Sequence, residues 1–318
     1  MTAPLLLVTC GHLIRRIDAF RPEIEAAGVA LRLPKISGQQ LDAAEMTEAL
    51  KGVDVVIAGD DVIDHSALAA GKADRLRAVI KWGVGVDAID LAAAEALGVP
   101  VHNTPGAFGE EVADLALAHV LALARQAHVM DAGIRDGGWV KVEGVSLSEK
   151  TAAIIGLGSI GRAIACRCAA FGMALVGHDP GAPDPLDLGG APLRRADLDE
   201  AIAAADFLIL ACALTPENRR LLNRERLAAL RPGAYVVNVS RGPLVDEAAL
   251  AEALASGRVA GAGLDVFEVE PLPADSPLRA HPRCFFTAHN GSNTSEAVNR
   301  VNRRTVDMAL EILRRDPA

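Results

Sequence analysis

The sequence is poor in aromatic residues, in paired cysteines and in positive charge. Aromatic residues make up 3% of the 318 residues and hydrophobic residues 51%, which suits closely packed α/β layers of small aliphatic side chains. The formal net charge of −9, without a basic cluster, argues against a nucleic-acid surface. No C-x-x-C pair occurs, so we expect no disulfide or metal site, but buried free thiols at Cys10, Cys166, Cys168, Cys212 and Cys284.

Long apolar runs are also missing. The run Leu5–Val8 is too short for the core of a signal peptide, and no basic segment precedes it. The longest apolar helix candidate, over 112–124, is too short to cross a membrane and carries Asp114 and His119. These features predict a cytoplasmic protein that has no membrane partner.

Strand-like and helix-like segments alternate through the first hundred residues. Apolar runs typical of buried strands occur at 4–9, 30–33, 53–58, 78–82 and 99–102, with helical patterns between them. Such alternation predicts βαβ units and a parallel sheet. Because 318 residues suggest two domains, we predict an α/β protein with two Rossmann-like domains and parallel sheets.

A glycine-rich turn lies near the middle of the chain. A predicted strand over 151–155 leads into Gly156, Gly158 and Gly161 at G-x-G-x-x-G spacing, and a helix is predicted over 162–171. At this spacing the glycines allow a tight turn, close approach of the backbone to a pyrophosphate, and close packing of the helix on the strand. The segment is therefore predicted to bind a dinucleotide.

Neighbouring residues support that prediction. The start of the helix, around Ser159 and Ile160, offers free N–H groups and the positive end of the helix dipole to phosphates. Asp179 follows a second predicted strand, about 20 residues on, where a carboxylate suits the hydroxyls of the adenosine ribose. We therefore predict NAD as the cofactor.

Three polar residues follow predicted strands further along the chain: Arg241, Glu270 and His289. Ligands of an open α/β sheet bind beyond the carboxyl ends of its strands, so these side chains are expected at the ligand edge. Arginine grips a carboxylate, histidine exchanges a proton near neutral pH, and a nearby carboxylate stabilises the protonated imidazole. With a nicotinamide, the set could interconvert a 2-hydroxy acid and a 2-keto acid. Each residue alone is more typical of a surface or structural role.

Several ordered blocks resemble the D-isomer-specific 2-hydroxyacid dehydrogenase family. They occupy 83–90, 103–106, 156–180, 239–247, 263–271 and 287–292, which together span most of the chain. The resemblance, to phosphoglycerate dehydrogenases and glyoxylate or hydroxypyruvate reductases, implies an NAD-dependent D-2-hydroxyacid dehydrogenase. Its substrate would be a small acid of the glyoxylate or hydroxypyruvate type.

The resemblance also implies roles for individual residues. Arg241 would bind the substrate carboxylate and carbonyl, His289 would be the acid/base, and Glu270 its partner. Asp265 would hold the nicotinamide carboxamide. Two further residues, Cys212 and Ser240, would line the cofactor groove. The substrate carboxylate would be bound by the backbone N–H groups of a stretch that contains Lys81, Gly83, Val84 and Gly85.

The sequence departs from phosphoglycerate dehydrogenases in one telling place. Ala58 and Gly59 stand where those enzymes have an arginine for the substrate phosphate. A phosphorylated substrate would bring about two further negative charges, which are costly to bury without partners. We therefore expect an unphosphorylated substrate, with Lys81 left open as a phosphate ligand.

Two alternatives stay open beside the main interpretation. One is an NAD(H)-sensing interaction protein that resembles the corepressors built on this fold, and the other is a 3-phosphoglycerate dehydrogenase. A formate dehydrogenase is disfavoured because that branch has glutamine in place of Glu270. Measured turnover and substrate choice would separate these functions.

We predict that the substrate domain is discontinuous. It would combine residues 1–103 with the C-terminal helical segment 291–318, and the NAD-binding domain would cover 104–290. A long helix over 109–133 is apolar on more than one face, and the resemblance implies a homodimer through it. The particular hydroxy acid and the physiological direction are not determined by the sequence.

Overall fold

The computed structural model describes residues 3–36, 38, 40–183 and 186–314. The chain divides into two compact units, Met1–Ala107 with Thr294–Ala318, and Phe108–Asn293. Each unit contains a parallel sheet with helices, so the predicted α/β class is confirmed. The assignment of substrate and NAD-binding domains with boundaries after residues 103 and 290 stays a prediction.

The first unit is built on a five-stranded parallel sheet. Its strands are β1 (Leu5–Val8), β2 (Ala30–Arg32), β3 (Val55–Ala58), β4 (Ala78–Lys81) and β5 (Val101–His102). Their order is β2-β1-β3-β4-β5, so the winding direction reverses between β1 and β3. The central strands β3 and β4 are buried at every position, as expected for strands covered on both faces.

Six helices surround this sheet in the described residues. They are α1 (Gly11–Ile14), α2 (Arg21–Ala26), α3 (Ala43–Ala49), α4 (His65–Asp74), α5 (Leu91–Ala96) and the C-terminal helix, here α12 (Ser295–Arg314). Helices α3, α4 and α5 each begin after an aspartate whose carboxylate accepts a backbone N–H of the first turn, namely Asp42, Asp64 and Asp90. Trp82 Nε1 donates to Asn302 Oδ1 of α12 over 2.7 Å, which ties that helix to the unit.

The second unit is built on a seven-stranded parallel sheet. Its strands are β6 (Thr151–Ile155), β7 (Ala174–His178), β8 (Leu193–Arg195), β9 (Phe207–Leu210), β10 (Ala234–Asn238), β11 (Val259–Leu264) and β12 (Cys284–Phe286). The order is β12-β11-β10-β9-β6-β7-β8. The chain therefore leaves β6 in one direction and returns beside it at β9, which makes the carboxyl ends of β6 and β9 the point where ligands bind in such sheets.

The helices of the second unit are α6 (Gly109–Arg125), α7 (Ala127–Arg135), α8 (Ser159–Ala170), α9 (Leu198–Ala204), α10 (Arg224–Ala229) and α11 (Glu247–Ala255). Helix α8 starts three residues earlier than the sequence predicts, so Gly161 lies inside it. A Cβ on Gly161 would come within 1.8 Å of the Gly156 carbonyl oxygen, so the close packing of helix on strand requires glycine here.

The single long helix predicted over 109–133 is wrong. Gln126 adopts a left-handed conformation (φ 48°) and separates α6 from α7. Its N–H closes the last turn of α6 on the carbonyls of Ala122 and Leu123, and its side-chain amide donates to the Glu143 carbonyl over 3.0 Å. A left-handed residue with these bonds ends a helix, whatever the apolar pattern beyond it.

Two further expectations need correction. The cysteines are free thiols in the described residues, but Cys166 is exposed rather than buried, because it lies on the outer face of α8, and Cys212 is only partly buried. The strand β8 is missing from the sequence-based assignment because it is a short, largely exposed edge strand without an apolar pattern.

Candidate active site

The glycine loop after β6 forms an open cradle. Gly156 has φ 96°, and a Cβ there would lie 2.5 Å from the Cys212 backbone nitrogen, so only glycine allows this approach to the loop after β9. A Cβ on Gly158 would meet nothing within 4 Å, and Gly158 provides no side-chain cap for α8. The N–H groups of Ser159, Ile160 and Gly161 in the first turn of this 12-residue helix thus suit an anionic phosphate.

Asp179 lies at the end of β7 beside this loop. Its Oδ2 accepts the Leu157 N–H over 2.7 Å, and its Oδ1 accepts the Gly181 N–H over 2.8 Å. These two bonds fix the carboxylate and leave lone pairs for ribose hydroxyls. The glycine cradle, the uncapped helix and the oriented carboxylate therefore fit a dinucleotide.

Cys212 and Ser240 lie two residues beyond the neighbouring strands β9 and β10, and their place in the cofactor groove stays a prediction. The Ser240 hydroxyl donates to the Cys212 carbonyl, which joins the two loops. Burial raises the pKa of the Cys212 thiol to about 11, so this thiol stays protonated at neutral pH and is poorly suited to act as a nucleophile.

A buried asparagine shapes the turn that carries Arg241. Asn238 Nδ2 donates to the Arg241 carbonyl over 2.8 Å, and Asn238 Oδ1 accepts the Ser240 N–H over 3.1 Å. Sequence reasoning missed Asn238, although a lone amide at the end of an apolar strand was a usable signal. The next residue, Gly242, packs so closely that a Cβ would lie 1.8 Å from the Phe267 carbonyl carbon.

Because Gly242 meets the backbone at Phe267, the Arg241 turn adjoins the loop that carries Glu270. Glu270 Oε1 accepts the Phe267 N–H over 3.0 Å, and Glu270 Oε2 lies 2.8 Å from His289 Nδ1. A carboxylate can only accept, so Nδ1 of His289 carries a hydrogen, and a proton exchanged by this ring would be that of Nε2. The structure therefore brings the predicted Glu270–His289 pair together.

Asp265 organises the turn around His289. Its backbone carbonyl accepts the His289 N–H over 2.7 Å, and its carboxylate accepts the N–H groups of Asn290 and Gly291 over 2.8 and 3.0 Å. These bonds hold His289 in a left-handed conformation (φ 47°) that costs a non-glycine residue about 1–2 kcal/mol. The left-handed backbone aims the imidazole at Glu270.

Glu247 adds a third carboxylate to this loop region. Its Oε1 accepts the Glu268 N–H over 2.6 Å. Burial raises the pKa of the Glu247 carboxyl, and the neighbouring acids Glu268 and Glu270 raise it further. The loop after β11 is thus held by acidic side chains on its backbone donors, a feature that the sequence does not reveal by spacing.

The predicted substrate-binding stretch lies in the first unit, after β4. Gly83 has φ 135°, and its carbonyl accepts both the N–H and the hydroxyl of Thr104. Val84 is exposed, and its carbonyl accepts the Asn103 side-chain amide over 2.7 Å. The loop that ends at Gly85 is therefore fixed through the carbonyls of Gly83 and Val84.

Lys81 is buried, and its ammonium is engaged within the unit. It donates to the Gly59 carbonyl and to Asp60 Oδ1, both over 2.7 Å. The side chain of Lys81 is 6% exposed and that of Asp60 55% exposed. Asp60 is not among the residues predicted from the sequence. It directly follows Ala58 and Gly59, which stand where phosphoglycerate dehydrogenases have an arginine.

No group of three or more His, Cys, Asp or Glu side chains suited to a metal ion occurs in the part of the chain that the structure describes. Each helix within the described residues is too short or too polar to cross a lipid bilayer.

A strand–glycine–helix nucleotide site with an arginine and a glutamate–histidine pair on the same sheet defines an NAD-dependent dehydrogenase. Comparison with known proteins agrees. Residues 117–291 match the D-isomer specific 2-hydroxyacid dehydrogenase, NAD binding domain. The chain belongs to this family of 2-hydroxyacid oxidoreductases.

This chain spans most of the length of one relative with an assigned activity and about half the length of another. A hydroxypyruvate reductase from Thermotoga maritima is 37% identical over 285 residues, which are 88% of this chain and 91% of the relative. A D-3-phosphoglycerate dehydrogenase from Methanocaldococcus jannaschii is 36% identical over 86% of this chain, but the match spans only 52% of that longer protein. The crystal structure of a glyoxylate reductase from Paecilomyes thermophila, 28% identical, superposes with a TM-score of 0.87 over 99% of this chain and 97% of that chain.

Proposed function

We propose that this enzyme reduces small, unphosphorylated 2-keto acids, such as hydroxypyruvate and glyoxylate, to D-2-hydroxy acids with NADH, and catalyses the reverse oxidation. The observation that carries the proposal is the hydrogen bond of 2.8 Å between His289 Nδ1 and Glu270 Oε2. It orients one imidazole nitrogen for proton exchange beside a site that fits a dinucleotide.

The chain's own residues then have defined tasks. When bound, NADH would supply the hydride that the keto carbon receives. His289, protonated and stabilised by Glu270, gives the proton on Nε2 to the carbonyl oxygen, and Arg241 stabilises the negative charge that develops on that oxygen. Asp265 would hold the nicotinamide carboxamide and so orient the ring. In the oxidation, neutral His289 takes the proton back.

The Lys81–Asp60 pair supports the choice of an unphosphorylated substrate. The ammonium of Lys81 is already compensated by the Asp60 carboxylate and the Gly59 carbonyl, both 2.7 Å away. A phosphate would have to displace this carboxylate or be held beside it, and either arrangement is unfavourable. A small carboxylate needs no such cation and is matched by the Arg241 guanidinium alone.

The test compares kcat/KM for hydroxypyruvate, glyoxylate and 3-phosphohydroxypyruvate. We expect the small acids to be preferred by about 100-fold, equivalent to roughly 3 kcal/mol in transition-state binding. Asp60→Asn should raise the relative activity on the phosphorylated acid because it frees the Lys81 ammonium, and Lys72→Ala, an exposed lysine in α4, is the control. A parent enzyme that prefers the phosphorylated acid and loses this preference in Lys81→Ala would make the protein a phosphoglycerate dehydrogenase.

Turnover separates an enzyme from an NAD(H)-sensing interaction protein. We expect turnover of at least about 1 per second with a preferred keto acid, within the ordinary range of enzymes. Tight NADH binding with negligible turnover on every small 2-keto acid tested would favour the sensing function instead.

We further propose a cytoplasmic homodimer assembled through the second unit. Ile134, Trp139, Val140 and Phe171 are exposed apolar side chains of this unit, and Trp139 is 81% exposed. Exposed aromatic side chains of this kind are typical of interfaces. Light scattering at micromolar concentration should give twice the monomer mass, and Trp139→Ser should weaken the dimer. The free thiols suit a reducing compartment, which fractionation of cells would test.

A further inference from the structure

A chain of hydrogen bonds runs from the interior of α6 to the carboxylate of Asp265. His119, in the middle of α6, is fully buried, and its Nε2 lies 2.9 Å from the Thr287 hydroxyl oxygen. That hydroxyl lies 2.6 Å from Asp265 Oδ1. Three side chains that are distant in sequence thus form one connected line that ends at the proposed nicotinamide ligand.

The direction of each hydrogen bond follows from the chemistry of the groups. The Asp265 carboxylate can only accept, so the single hydrogen of the Thr287 hydroxyl points to it. The Thr287 oxygen must then accept from Nε2–H of His119. Burial lowers the pKa of His119 to about 4, so at neutral pH the ring is neutral and its one hydrogen is on Nε2.

The space for this ring is provided by a glycine in β11. A Cβ on Gly263 would lie 2.6 Å from His119 Nδ1 and 2.8 Å from His119 Cβ. On another side the ring packs against Phe285, with 5.0 Å between ring centroids. His119 Nδ1 is buried without a hydrogen-bond partner. An unpaired buried nitrogen carries an energetic cost, which the ring's other nitrogen offsets through Thr287.

The Asp265 end of the line holds more than one part of the site. Besides the Thr287 hydroxyl, the carboxylate accepts the N–H groups of Asn290 and Gly291, and the Asp265 carbonyl accepts the His289 N–H. With both oxygens engaged, the carboxylate has little rotational freedom. Loss of the Thr287 bond would release one of its anchors.

We propose that His119 is a positioning residue, which acts through Thr287 to hold the Asp265 carboxylate in the orientation that receives the nicotinamide carboxamide. The inference rests on the proposed role of Asp265 toward the carboxamide. His119 itself does not touch cofactor or substrate in this arrangement.

The experiment uses a cofactor that cannot make the bond in question. Reduced 3-acetylpyridine adenine dinucleotide has a methyl ketone in place of the carboxamide and so offers Asp265 no N–H. The dissociation constants of NADH and of this analogue are measured with the intact enzyme by calorimetry. His119→Leu should weaken NADH binding about tenfold, the worth of roughly one hydrogen bond, and weaken the analogue less than about threefold.

Matched variants separate positioning from core filling. His119→Gln keeps a donor at a similar reach and should restore most of the preference for NADH over the analogue. Thr287→Val should reproduce His119→Leu, and the double variant should be no worse than either, because both changes break the same line. His128→Leu, whose ring also packs on Phe285 but lacks a bond to Thr287, should leave the cofactor preference unchanged.

Two outcomes would overturn the proposal, and they differ. If Asp265→Ala abolishes the preference for NADH over the analogue but His119→Leu weakens both cofactors equally, His119 only fills the core. If Asp265→Ala itself leaves the preference intact, the carboxamide role of Asp265 fails and the positioning role fails with it. Thermal unfolding of each variant establishes that binding is compared between folded proteins.

Discussion

The loop after β3 of the first sheet and the start of α8 in the second unit differ in whether a side chain occupies the local N–H donors. In the first unit, the Gly59 N–H after β3 is taken by Asp61 Oδ2 over 2.9 Å, and the Lys81 ammonium is taken by Asp60. In the second unit, α8 begins after Gly158, which provides no side-chain cap for its first turn.

This difference indicates which of the two sheet edges can bind an anionic ligand. A topological switch point provides a crevice, but a crevice whose donors are already bonded to its own carboxylates has little to offer an anion. In the second unit, Gly158 contributes no side chain that could occupy the first-turn N–H groups of α8. The following predictions test this contrast, from the largest expected effect to the smallest.

The proton donor should dominate catalysis at the second edge. His289→Ala should lower kcat by about 1,000-fold because it removes general acid catalysis, with NADH affinity changed less than about threefold. Steady-state kinetics and NADH titration measure the two effects. His281→Ala, a histidine that follows a turn before β12, is the control and should retain near-parental kcat. A similar loss in NADH affinity for His289→Ala would contradict a role confined to proton transfer.

Replacing a glycine by alanine in the loop after β6 and in the loop after β3 tests whether NADH binds at the edge of the second sheet. Gly156→Ala introduces a Cβ 2.5 Å from the Cys212 nitrogen at φ 96°, so NADH affinity should fall on the order of 100-fold. Gly59→Ala places its Cβ 3.3 Å from the Cys10 Cα without a positive φ, and NADH affinity should change about twofold or less. Equal losses in the two variants would remove the distinction between an open and an internally satisfied edge.

Acid stability depends on the buried His119. Folding lowers the pKa of this residue from 6.5 to about 4, so the unfolded chain binds one more proton than the folded chain between these pH values. Its contribution favours folding fully above about pH 6.5 and is lost progressively toward pH 4, by about 3 kcal/mol in total. Denaturant unfolding at pH 7 and pH 4 should show a smaller acid loss for His119→Gln, in which other titrating groups are unchanged. An equal loss of unfolding free energy between pH 7 and pH 4 in the parent and in His119→Gln would contradict this linkage.

The Glu270 carboxylate should change the pH dependence of the reaction more than its maximal rate. Glu270→Gln removes the charge that stabilises the protonated imidazole, so the neutral-to-alkaline decline of keto-acid reduction should move to lower pH by about one unit. The pH dependence of kcat/KM measures this shift. Glu268→Gln, a neighbouring carboxylate that does not bond to His289, should leave the profile in place. An unmoved profile in Glu270→Gln would show that the pair is not coupled.

Local sequence patterns determined much of this molecule. The apolar runs that became β1, β3, β4, β6 and β7 are found where alternation predicts them, because buried parallel strands require continuous apolar side chains. The glycine spacing at 156–161 predicted the cradle, because a tight turn and a close helix demand residues without a Cβ. The order of Arg241, Glu270 and His289 after successive strands predicted their place at one sheet edge.

Tertiary structure alone decided the remaining features. Nothing in the spacing of His119, Thr287 and Asp265 indicates that they form one line, since α6 and the end of β12 meet through the packing of the His119 ring on Gly263 and Phe285. The break at Gln126 depends on a side-chain bond to Glu143, and the engagement of Lys81 depends on Asp60 at the end of a neighbouring strand. Such pairings join residues that are remote in sequence, and local patterns carry information only about neighbours along the chain and about burial.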